Sequence, residues 1–180
     1  MFRKTKEFTD KAQNYDVAML YYAGHGIQEA GVVYLCPTDL TAPKDQTEAD
    51  FNLTHKTINL NDLVKEIEQS KCKANILVID ACRNNPFKGR SFGDEGVAEI
   101  KCSGETLIAF SVNAGDKAID GYEDSRNSPY TTELLKELDI PKEEVYNVFK
   151  AVGSRVWQNT KLRPSIYGSL YNKFYFNMKQ

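Results

Sequence analysis

Three short, largely apolar runs punctuate the chain, at 17–22, 74–79 and 106–110. Each is too short for a helix buried all round and has the length of a strand covered on both faces. Helical spacing lies between them. Leu60, Leu63, Val64 and Ile67 fall at i, i+3, i+4 and i+7, so a helix is expected over 60–72. Asn59 stands where a cap is needed, with Asp62 three residues on and Ile58 set against Leu63 as a staple. Ser128 before Pro129 marks another helix start, and Tyr130, Leu134 and Leu138 give its buried face. A further helix is expected from Pro141, with Val145, Val148, Phe149, Val152 and Val156 on one stripe. Weaker patterns predict a polar helix at 2–14, a hairpin of 26–28 with 32–35, and a closing aromatic strand at 174–176. Residues 36–57, 83–104 and 111–128 read as irregular, and long loops in a compact domain are usually functional.

Strand and helix alternate, which favours an α/β fold with a largely parallel sheet. With 180 residues and no repeat or linker, one domain over 1–180 is expected. The hydrophobic content of 41% removes intrinsic disorder from consideration. The net charge of −2 argues against a nucleic-acid partner, which calls for a basic excess. No apolar run approaches the roughly 18 residues of a membrane helix, so no membrane partner is expected. The basic N-terminus has no apolar stretch behind it and does not read as a signal peptide. Cys36, Cys72, Cys82 and Cys102 are scattered without a CxxC pair, so reduced thiols, a cytoplasmic location and no metal site are expected.

His25 and Cys82 each stand just beyond an apolar strand. Ligands bind at the carboxyl ends of parallel strands, and the helix between the two makes the strands parallel neighbours. The pair then emerges on one sheet edge. A thiol is mostly protonated at neutral pH, and an imidazole beside it can take the proton and later give it to a leaving amine. Gly24 and Gly26 let the chain turn around His25. The backbone N–H groups of Gly26 and Cys82 are candidate oxyanion donors. The bland alternative is a Gly-His-Gly turn and a packed cysteine. His55 has no such setting and reads as a surface histidine.

Asp-Val-Ala-Met-Leu-Tyr-Tyr-Ala-Gly-His-Gly at 16–26 and Ile-Leu-Val-Ile-Asp-Ala-Cys-Arg-Asn-Asn-Pro-Phe at 76–87 resemble the caspase-like cysteine peptidases, most closely bacterial members related to metacaspases and paracaspases. The His25-to-Cys82 spacing is close to the roughly 50 residues of caspases. Supporting matches are 107–112, Asp120-Gly121, 127–131 and the stretch from Pro164 to Phe176. The resemblance implies the three-layer caspase–hemoglobinase fold and cysteine-type endopeptidase activity on protein or peptide substrates. His25 matches the family's histidine, Cys82 its nucleophile, and Gly26 with Cys82 its oxyanion donors. Asp80 matches an acid of the S1 pocket, and Asp120 a second one. A carboxylate there pairs with a basic P1 side chain, and fits arginine's fork better than lysine. In this family the connection after the cysteine is often cut, which makes Lys88 and Arg90 candidates for self-cleavage.

The family fold begins with a strand, a helix and a second strand ahead of the strand at 17–22, where this chain has one polar segment. It therefore reads as an N-terminally truncated version, with a four-stranded sheet and an apolar edge at 17–22 open to pairing, either with another chain or with the absent segment. Some metacaspases require calcium, but no EF-hand-like loop is present and no cofactor is expected. Two other function classes compete. One is a catalytically silent regulatory or scaffolding module. The other, remote, is a zinc hydrolase using His25, His55 and a cysteine, for which no ligand-pair spacing exists.

Overall fold

The computed structural model describes residues 1–82, 100–113 and 126–179. Its centre is a four-stranded sheet of β1 (Val17–Gly24), β5 (Ala74–Ala81), β6 (Thr106–Phe110) and β7 (Ser165–Ser169), in that order. β1, β5 and β6 are parallel, and β7 runs antiparallel to β6. A small antiparallel sheet of β2 (Gly26–Glu29), β3 (Val32–Leu35) and β4 (Ile58–Asn59) follows β1. Helices α1 (Phe2–Ala12), α2 (Gln46–Lys56), α3 (Leu60–Glu68), α4 (Pro129–Leu138) and α5 (Val145–Thr160) complete it.

Two apolar cores flank the central sheet. On one face Leu77, Ile79 and Ala81 of β5, with Ile108 and Phe110 of β6, pack against α3 and β3. On the other Ala74, Ile76 and Val78, with Leu107 and Ala109, meet Tyr130 and Leu134 of α4 and the valine stripe of α5. The period-two alternation of each strand serves both faces at once, which is why β5 and β6 read as largely apolar runs. Every residue of both strands is buried.

The crossover that makes β1 and β5 parallel neighbours is as expected. So are the Asn59 cap of α3, which accepts from the Asn61 and Asp62 N–H groups, and the Ser128 cap of α4. The hairpin turns through Ala30 and Gly31, both at positive φ, the backbone that a two-residue turn between twisted strands requires.

Five expectations need correction. Strand β1 is not buried on both faces: it is an edge strand among the described residues, with Met19 37% and Tyr21 44% exposed. Residues 46–56 are helical rather than irregular, with Asp45 accepting from the Glu48 N–H. The helix α2 buries only Asn52 and stacks its Phe51 on His55 in solvent, so it carries no apolar stripe to read. Helix α3 ends at Glu68, short of 72. Helix α5 starts at Val145, capped by Glu144, rather than at Pro141. The last strand is Ser165–Ser169, not 174–176. Phe174 and Phe176 instead pack edge-to-face on each other, and Phe176 on Phe149, beside the second core.

Candidate active site

Register decides what meets at the end of the sheet. Gly24 of β1 stands opposite Ala81 of β5. The next residues are His25 and Cys82, so the pair leaves two adjacent parallel strands at the same level. Strands lie about 4.8 Å apart. Gly26 tightens the approach: a Cβ built on it would lie 2.5 Å from the Cys82 carbonyl oxygen and 3.5 Å from the Ala81 Cβ. Only a hydrogen fits there. Cys82 is half-buried and outside any disulfide, and His25 is exposed.

The backbone around His25 is clamped. Its carbonyl accepts from the Cys36 N–H at 2.9 Å, and the Tyr22 hydroxyl reaches it at 2.6 Å and the Cys36 carbonyl at 2.7 Å. The bond from Cys36 to His25 makes Gly26 and Leu35 a non-hydrogen-bonded pair of the β2–β3 ladder. The Gly26 N–H is therefore turned away from β3 and takes no part in the hairpin. Burial pushes the Tyr22 hydroxyl up to about 12, with the Cys36 side chain adding.

Beside the two strand ends lies a cleft of about 320 Å³, lined among others by Tyr21, His25, Asp80, Arg126, Ser128 and Thr131. It contains Ala81 but not Cys82 in its wall. Asp80 is 8% exposed. Its Oδ2 accepts from the Thr131 hydroxyl at 2.6 Å and from the Ser128 hydroxyl. Tyr21 and Thr131 share a further hydroxyl bond of 2.5 Å. Burial raises the Tyr21 and Tyr130 phenols above their ordinary value, and the Asp80 charge adds to both. Arg126 is exposed, so water weakens its positive field far more than that of the sheltered carboxylate.

Of the residues singled out in the sequence, His25, Gly26, Asp80 and Cys82 therefore converge. Asp120, Lys88 and Arg90 lie outside the described residues. His55 is on α2 at the surface. Among the described residues no three His, Cys, Asp or Glu side chains cluster as metal ligands, and no helix is long and apolar enough to cross a membrane. Tyr21, Tyr22, Ser128 and Thr131 stand within the matched motifs, but beyond the Ser128 cap the sequence reading gave them no role of their own at the site. An exposed position on a strand or helix start carries no periodic signal of what its hydroxyl meets.

A family model described as a caspase domain matches residues 1–175. The chain belongs to the caspase domain family. No curated protein matches it significantly. Among solved structures it is similar to the crystal structure of caspase-1 from Spodoptera frugiperda, with a TM-score of 0.64 at 17% identity, over 99% of this chain and 71% of that one. At that identity the likeness is one of fold, and it places this caspase domain in the caspase-like α/β class. The family is one of cysteine peptidases.

Proposed function

We propose that this caspase domain is a cysteine endopeptidase that cleaves after arginine or lysine through His25 and Cys82. The observation that carries the proposal is the register of Gly24 with Ala81, followed at once by His25 and Cys82, with Gly26 against the Cys82 carbonyl. In this reading His25 takes the Cys82 thiol proton and the thiolate attacks the scissile carbonyl carbon. The Gly26 and Cys82 N–H groups hold the oxyanion, where each donor is worth on the order of 100-fold in rate. His25 gives its proton to the leaving amine, and water then hydrolyses the thioester. Asp80 receives the basic P1 side chain. Its buried negative charge supports this preference, and would repel a P1 aspartate.

A fluorogenic panel with P1 Arg, Lys and Asp, run on the wild type and on Cys82→Ala, tests the reading. Turnover of Arg and Lys that vanishes in the variant is the expected result; turnover only after Asp refutes the specificity. The edge of β1, open among the described residues, favours a second reading, a silent module that recruits a partner strand there. A folded protein inert on the whole panel supports that module instead. The pair of Lys88 and Arg90 close after the cysteine also supports self-processing. Cut masses in the wild type, absent from Cys82→Ala, are expected, and identical uncut masses after long incubation refute it.

A further inference from the structure

We infer that Ser128 and Thr131 are positioning residues that narrow the cleft's discrimination between arginine and lysine, by occupying one oxygen of Asp80. The inference rests on the basic-P1 reading above and goes beyond it.

Proton counting carries the argument. Each hydroxyl has a single proton. Thr131 gives its own to Asp80 Oδ2, so the bond it shares with Tyr21 must be donated by the phenol. Ser128 gives its proton to the same oxygen, while its lone pair accepts the Thr131 N–H at 3.0 Å and caps α4. An ionised carboxylate offers about four lone-pair sites, roughly two per oxygen. Both sites on Oδ2 are therefore taken, and Oδ1 receives neither hydroxyl.

An arginine fork gains over an ammonium by donating to two carboxylate oxygens in parallel. Here the second oxygen has no lone pair left for it. A guanidinium and an ammonium are reduced to the same single-oxygen contact with Asp80. Discrimination by charge against neutral and acidic side chains survives, because the negative charge is still there. Discrimination by fork geometry does not. The α4 cap and the cleft floor are one hydrogen-bond system, so the orientation of the carboxylate is set by the start of a helix rather than by a loop.

Matched peptide substrates differing only in P1 Arg or Lys test this on the full chain. The wild type is expected to show kcat/KM values within about tenfold of each other. Thr131→Val removes the hydroxyl at nearly constant volume and returns one site on Oδ2. It is expected to raise the Arg-to-Lys ratio about tenfold, the worth of one charge-assisted hydrogen bond. Thr131→Ser keeps the hydroxyl and is expected to keep the wild-type ratio. Thr131→Ala, which demands no space, is expected to repeat the valine result should valine unfold the cleft. A purely structural threonine lowers both substrates together and leaves the ratio fixed, which overturns the inference alone. A wild type that cleaves neither substrate overturns the basic-P1 reading and the inference with it.

Discussion

Replacing Gly26 with alanine adds one methyl group where the chain has no room for it. The new Cβ would stand 2.5 Å from the Cys82 carbonyl oxygen, whereas ordinary contact begins at 3.4 Å. The neighbour is backbone, so no side chain can swing aside. The two segments must part by about 0.9 Å to restore ordinary van der Waals contact. Gly26 does not have positive φ, so alanine suits its backbone and the whole effect is this collision. A displacement of about 1 Å in a reacting pair lowers turnover on the order of 100-fold. That corresponds to roughly 2.7 kcal/mol in the activation barrier. Overpacking of this kind also destabilises by about 1–3 kcal/mol. The assay is kcat/KM on a P1-Arg peptide, with thermal unfolding alongside. Gly104→Ala is the control, because nothing lies within 4 Å of its Cβ position. Gly26→Ala with wild-type turnover and wild-type Tm would refute the claim that this contact sets the spacing of His25 and Cys82.

Two other glycines should move stability in opposite directions. Gly153→Ala in α5 meets its nearest neighbour, the Pro164 side chain, at 3.9 Å and should raise stability by roughly 0.5–1 kcal/mol in urea unfolding. Gly168→Ala should lose at least about 3 kcal/mol, because φ is +80° and the Cβ would lie 2.1 Å from the Thr106 carbonyl. Thiol labelling followed by mass spectrometry should find Cys36 and Cys102 slow at pH 8. Burial pushes both up to about 11, with Glu68 adding at Cys102. Only about one in a thousand is thiolate at pH 8, and labelling should quicken about tenfold per pH unit up to pH 11. Fast labelling of either at pH 7 would show that it is more open than its surroundings indicate.

What was legible in the sequence follows from what writes a signal into it. The buried strands β5 and β6 are largely apolar runs because both their faces are covered, and α3 and α5 show their stripes because one face is. His25 and Cys82 could be paired because each sits three residues beyond an apolar run, although only β5 of the two strands is covered on both faces. Helix α2 was missed because its Phe51 and His55 satisfy each other in solvent rather than in the core. The last strand was misplaced for a related reason. Ser165–Ser169 is mostly exposed and interrupted by Gly168, whereas the aromatic cluster nearby is apolar enough to imitate a strand and instead pads α5. The floor of the cleft was half legible. Asp80 ends an apolar run and is conspicuous, but its partners Ser128 and Thr131 lie 48 and 51 positions away and have ordinary local roles at a helix start.

That division has a physical consequence for the site. The spacing of His25 and Cys82 depends on β1 holding its register with β5, and register is strongly fixed only where a one-residue slip would turn buried side chains outward. Strand β5 meets that condition on both faces. Strand β1 meets it on one, where Ala18, Leu20 and Tyr22 face the first core while Met19 and Tyr21 look out. This strand therefore needs a second restraint at the end that carries His25. Tyr22 supplies one by tying the His25 carbonyl to the hairpin, and Tyr21 another by bonding to Thr131 on α4. Successive tyrosines on opposite faces of the strand thus brace it from both sides, so that a slip would break both restraints at once. The paired aromatics before Ala23-Gly24-His25-Gly26 hold the histidine in place on a strand whose burial alone fixes it only halfway.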